Sequence, residues 1–123
     1  METQNELDMK IGTLEPVKLH PANVIIISAE VRESPKKAKY VVLTCKHPEA
    51  VEYIEISQIA YLKNNQLSES GLWINKDPEG NIQKGSPLAV FLVMFGLGTI
   101  KEAVGKQLPT ILNSKGYLCF KAY

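Results

Sequence analysis

The chain offers few groups that could do chemistry. Two histidines (His20, His47), two cysteines (Cys45, Cys119) and two aspartates (Asp8, Asp77) are the whole supply beyond its glutamates. Cys45-Lys46-His47 is the one close pair of soft ligands, and a structural zinc site wants two such pairs. A strand through Cys45 turns that thiol inward while His47 falls in a turn, so the two diverge. No Gly-x-Ser-x-Gly elbow, phosphate loop or paired-carboxylate motif is present. Gly96-Leu97-Gly98 follows a helical run rather than a strand and is no dinucleotide fingerprint. Glu52 and Glu55 alternate along a strand edge, where they meet solvent. The expectation is a non-enzymatic protein with no metal and no cofactor. Two cysteines without a secretory pattern at the polar, acidic start read as reduced, buried thiols in a cytoplasmic protein.

What remains is aromatic and basic. Single strands of nucleic acid are bound by rings that stack on bases and by cations that follow phosphates. Lys36, Lys37 and Lys39 cluster after one strand, Tyr40 opens the next and Lys46 closes it. Tyr53 stands on a third strand, and Trp73 and Lys76 lie further on. Arg32 is the single arginine among 14 basic side chains. Lysine lacks the fork that reads base edges bidentately, so the pattern suits backbone tracking better than sequence readout.

These residues depend on strands. Residues 23–33 are β-branched, then alternating, which predicts a long strand with Ile25, Ile27, Ala29 and Val31 on one face and Ser28, Glu30 and Arg32 on the other. Pro35 stops it. Residues 40–46 and 51–57 predict the next two strands, joined by the turn His47-Pro48-Glu49-Ala50. Pairing Leu43 with Ile54, Val41 with Ile56 and Lys46 with Val51 keeps apolar side chains together. Tyr53 then faces Thr44, and Tyr40, Thr44, Lys46, Tyr53 and Ser57 share the open face. Residues 59–85 read as a loop-rich excursion containing a short strand at 71–75 and a turn at Asp77-Pro78-Glu79-Gly80.

Ser86 is placed to cap a helix with Pro87 in its first turn. The helix is apolar nearly all round through Phe95 and is broken by the Gly96-Leu97-Gly98 run. A helix of that kind is enclosed or meets a partner, which makes Phe91, Met94 and Phe95 an expected interface. Thr99 and Glu102 suggest a capping box for a second short helix, 100–104. Strands at 106–112 and 117–123 complete the chain, the last with Leu118, Phe120 and Ala122 inward and Tyr117, Lys121 and Tyr123 outward.

With 123 residues and 14 basic against 13 acidic groups, net charge +1, the composition fits one soluble domain and excludes a broadly basic coat protein. The longest apolar stretch, residues 88–97, is shorter than the roughly 20 residues a bilayer span needs, so no membrane partner is expected. Residues 1–15 read as a flexible tail and 16–123 as the domain.

Three strands, an excursion, a helix pair and two strands make a mostly β class with one or two short helices. The order is that of a five-stranded OB-like Greek-key barrel with its helix between strands three and four. The run from Gly85 to Lys106, in which a helix ends at Gly96-Leu97-Gly98 and Gly105-Lys106 leads into strand four, resembles small OB-fold proteins of phages and mobile elements. Ser34-Pro35-Lys36-Lys37-Ala38-Lys39-Tyr40 is similar to their lysine-bearing first loop. The resemblance implies single-stranded nucleic-acid binding, DNA ahead of RNA, as a replication or recombination accessory. The alternative is a protein-interaction module or assembly subunit, self-associating or docking on a partner through the apolar helix at 87–97.

Overall fold

The structure, a computed structural model, describes residues 19–123; the expected tail at 1–15 lies outside the described residues. It is mostly β: β1 (Val24–Glu33), β2 (Lys39–Lys46), β3 (Ile54–Ile56), β4 (Gln58–Lys63), β5 (Gln66–Gly71), β6 (Gln107–Leu108), β7 (Thr110–Leu112) and β8 (Leu118–Ala122). One α-helix, α1 (Pro87–Met94), and a 3-10 turn at Ile100–Ala103 stand between β5 and β6. The strands form two curled sheets that make a half-barrel, ordered β3-β2-β1-β6 and β5-β4-β8-β7. Among the described residues eight strands in two sheets stand where five were expected. The extra ones come from breaks at single residues, Ser57 and Pro109, and from the expected excursion. Residues 58–71, reaching from just before that excursion into it, form a hairpin whose two turn residues, Asn64 and Asn65, have φ of 53° and 64°. Asparagine tolerates this left-handed backbone, which matches the twist of paired strands.

β1 pairs antiparallel with β2, but its register shifts between Ile26 and Ser28. The bulge at Ile27 changes which side chains point inward. Val24 and Ile26 are buried and Ile25 is exposed, which corrects the expected inward set of Ile25, Ile27, Ala29 and Val31; beyond the bulge Ala29 packs on the core as expected, and Val31 is exposed. β2 meets β3 through Leu43–Ile56 and Cys45–Ile54. That register is two residues from the expected one. A two-residue slip keeps the pleat's faces, so Leu43, Cys45 and Ile56 stay buried. Residues 51–53 lie outside the ladder, and Val51 is fully exposed instead of pairing with Lys46.

The connection starts at a buried His47. It is 1% exposed. Its Nε2 lies 2.7 Å from the His20 carbonyl, and its Nδ1 accepts from the Glu49 amide at 3.0 Å. Nε2 is therefore the protonated nitrogen. The expected turn itself is present, the Ala50 amide donating to the His47 carbonyl at 3.1 Å, and residues 51–53 extend the connection beyond it.

The core joins both sheets to α1. Phe91 is fully buried against Phe120 and Phe95, ring centroids 5.3 Å apart in each pair. Ser86 caps α1 as expected, its Oγ accepting from the Ala89 amide, with Pro87 behind it. The second capping box differs: Glu102 accepts from Gly98, not Thr99, and the segment is a 3-10 turn.

Candidate nucleic-acid interface

The chain leaving β5 runs beside the start of β2. Val41 donates to the Leu72 carbonyl and Ile74 to the Lys39 carbonyl, each at 2.9 Å, so Tyr40 and Trp73 are directly opposite. Alternation sends Leu72 inward, where it is fully buried, and leaves Trp73 outward at 38% exposure. The Tyr40 and Trp73 rings meet edge to face, centroids 5.4 Å apart and planes 64° apart, a favoured aromatic geometry. Gly71 makes room for the indole. With Ser57 and Gln58 these residues line a cleft of about 440 Å³.

Ser34 and Pro35 line the other wall of this cleft and begin the lysine turn. The turn is tightly held. Ser34 and Ala38 pair through their backbones at 2.8 Å, Lys37 donates to the Ser34 carbonyl at 2.8 Å, and the Ser34 hydroxyl accepts from Ala38. Lys37 has φ of 66°. Lys36, Lys37 and Lys39 are all exposed on this turn. Among the described residues Glu33 is the one carboxylate in the cleft lining.

The other expected members are elsewhere. Lys46 pairs with Ile25 at the far end of β2, six residues from Tyr40 and so about 20 Å away. Tyr53 precedes β3 near that far end. Lys76 is exposed in the next turn, opposite Ile82. Tyr40 and Lys46 fall on the same face of β2 by alternation, but that face is interrupted between them by an ion cluster reaching from β1 to β3. Arg32 Nη1 and Nη2 donate to the two Glu55 oxygens at 3.0 and 2.7 Å, and Nε donates to Glu30 at 2.7 Å. Glu30 stands opposite Val42 on β2, so a guanidinium reaching from β1 to β3 crosses that valine. Val42 is accordingly buried on a face expected to be open. Arg32 holds both carboxyls below the usual carboxylate range through these hydrogen bonds.

Tyr53 lines a second, larger cleft of about 690 Å³ between residues 49–56 and the turn at 116–118, with Tyr117 and Leu118 across from it. Sequence reasoning missed this cleft. Its signal was Glu52 and Glu55, read as an ordinary solvated edge, together with Glu49 in the preceding turn and Tyr53 between them.

Of the expected interface residues, Phe91 is corrected: it is core. Phe95 is half-buried against it, and Met94 is 46% exposed beside Val93 at 80%. Both ring nitrogens of His47 are engaged by backbone groups, which leaves it unsuited to proton transfer or ligation. Cys45 and Cys119 are free and buried, and burial pushes their thiols up to about 12 and about 11. Among the described residues no helix is long and apolar enough to cross a membrane. Compared with family models, curated proteins and solved structures, the chain matches none.

Proposed function

We propose that the protein is a non-catalytic single-stranded nucleic-acid-binding protein, with DNA preferred to RNA, acting as a replication or recombination accessory. The observation that carries this reading is the Tyr40–Trp73 aromatic pair beside a rigid turn bearing Lys36, Lys37 and Lys39. Rings of this kind stack on bases of any sequence, and three lysines at the rim follow the phosphates. The site is smaller than the sequence suggested, without Lys46 and Tyr53.

The strand order supports the OB-like reading. Counting β3 with β4 across Ser57, and β6 with β7 across Pro109, gives five principal strands plus β5. The first three are joined as consecutive antiparallel neighbours. The fourth returns by a long connection, carrying α1, to lie beside β1 through Val24–Leu108 and Ile25–Gln107. That is a Greek key. β8 closes the path by pairing parallel with β4 and antiparallel with β7. In such barrels the face of strands two and three and the first loop bind oligonucleotides, and Tyr40 and the lysine turn sit there.

Trp73 is the single tryptophan, so its emission reports the site directly. Titration with unlabelled oligo-dT is expected to quench it saturably, duplex DNA of equal length to do so weakly. Neither quenching nor an anisotropy change with labelled oligo-dT at low salt would remove the reading.

A second reading rests on the exposed Val93 and Met94 side by side on α1: a protein-interaction module docking through that face.

A further inference from the structure

The second cleft has a chemistry opposite to that of the lysine turn. Its floor is apolar, with Ile54, Ile56 and Leu118, and its rim carries Tyr53 at 58% exposure and Tyr117 at 42%. Three carboxylates line it, from Glu49, Glu52 and Glu55, and among the described residues no lysine or arginine does. Phosphates are repelled by such a lining, so the cleft is no extension of the nucleic-acid site. A purely apolar occupant is also disfavoured, because it would strip water from the carboxylates without replacing their hydrogen bonds. A cation satisfies both parts. Ammonium and guanidinium groups are drawn to the faces of tyrosine rings and to carboxylates.

Two of the carboxylates are already oriented. Glu55 is clamped by Arg32, and Glu49 lies 3.3 Å from His20 Nδ1. Glu52 is exposed, with no cationic partner among the described residues. The cleft's volume of about 690 Å³ falls in the range of sites that take a drug-sized group, room for one long side chain and its immediate neighbours.

We infer that this cleft docks a basic peptide segment of a protein partner, seating a lysine or arginine side chain against Tyr53 and Tyr117 with its apolar neighbours on Ile54 and Leu118. Charge complementarity selects the partner: the rim is acidic and aromatic, the floor apolar. The occupant is therefore a short extended segment with a cation between apolar side chains. The inference does not rest on nucleic-acid binding, since the two clefts share no lining residue.

The test uses the full chain, labelled with nitrogen-15, and a capped pentapeptide Ala-Leu-Lys-Leu-Ala. Its counterpart with glutamate in place of lysine is the control. Saturable amide shifts confined to residues 49–56 and 116–118, seen with the lysine peptide alone, are expected. Tyr117→Ala is expected to weaken binding about tenfold, and Tyr117→Phe, which keeps the ring and guards against misfolding, to retain it. Glu52→Gln is expected to weaken binding and flatten its salt dependence. No shifts at millimolar peptide, shifts centred on Tyr40 and Trp73, or equal binding of the glutamate peptide would each overturn the proposal. So would mass growth with concentration in light scattering that Glu52→Gln abolishes, since the occupant would then be a second copy.

Discussion

The indole of Trp73 occupies the space that a side chain at Gly71 would take: a Cβ built on Gly71 falls 2.8 Å from Trp73 Nε1. Tyr40 braces the same indole from the side. The aromatic cleft therefore exists because residue 71 has no side chain, rather than because of any backbone angle at that glycine. Gly71→Ala is expected to push the indole out of its slot. Its emission maximum should shift, and oligo-dT affinity should drop by about 1–3 kcal/mol, the contribution of one stacked base. An unchanged emission spectrum with unchanged affinity would show that the indole has another resting place and that the cleft is not the binding surface.

The lysine turn makes an independent, electrostatic prediction. Three lysines neutralising three phosphates of a single strand give a slope of log K against log salt of about −2. The triple change of Lys36, Lys37 and Lys39 to glutamine is expected to bring that slope close to zero while leaving the unfolding midpoint nearly unchanged, because the three side chains are exposed. Anisotropy titrations at several salt concentrations measure it. A slope that survives the triple change would move the phosphate path to other lysines, Lys46 and Lys76 first.

Both elements were half-visible in the residues. Tyr40 and the lysine cluster were legible because Pro35 ends one strand and a β-rich run begins five residues later. Trp73 was placed on a short strand, but its partner was not. Residues 66–71 are poor in β-branched side chains, so nothing marked them as a strand delivering Trp73 to Tyr40. The β2–β3 register was missed by two residues because residues 51–53 alternate like a strand yet stay outside the ladder. The open face was misjudged for a different reason. Alternation assigned Glu30, Arg32 and Thr44 outward correctly, yet the ion cluster that roofs Val42 depends on contacts across three strands, which spacing within one strand does not encode.

That ion cluster predicts a pH dependence. Glu30 and Glu55 titrate below their ordinary range because Arg32 hydrogen-bonds their charged forms. A depressed carboxyl contributes stability that is present above the unfolded value, about 4.3. The contribution is lost as pH falls through the folded value. The groups stand in solvent, so the effect is small and salt-screened. Glu55→Gln should unfold slightly earlier than the parent near neutral pH, and the difference should shrink in acid, as pH falls through the lowered folded values. Thermal melts at neutral and acid pH measure this. A gap that persists in acid would assign the loss to packing over Val42 instead.

The thiols carry the opposite sign. Burial pushes Cys45 up to about 12, and burial with the nearby Glu69 charge pushes Cys119 up to about 11. A thiol raised in the folded state contributes stability that is complete below the unfolded value, about 8.5. It is lost as pH climbs toward the folded value. Stability should therefore decline from about pH 9 upward, less steeply in Cys45→Ala once its own packing loss is subtracted. Iodoacetamide should label both cysteines slowly in the native protein and rapidly in urea. Fast native labelling of Cys45 would mean that the sheet opens at β2.

Helix α1 is apolar on every side, yet it is only partly enclosed, and its two faces should answer mutation differently. Phe91 is wholly buried between Phe95 and Phe120. Phe91→Ala removes the ring that joins the helix to β8 and should cost about 3–5 kcal/mol. Val93 is 80% exposed on the far side. In a monomer Val93→Ser should stay within about 0.5 kcal/mol of the parent, as exposed substitutions usually do. Chemical unfolding and light scattering, run together over a range of concentrations, separate the cases. If Val93→Ser lowers stability only where the parent associates, the face is a subunit contact, and the helix's uniform apolarity has its explanation in assembly. If the parent stays monomeric and Val93→Ser is neutral, α1 serves the core through Leu88, Phe91 and Leu92, and the far side carries no energetic requirement in the isolated chain.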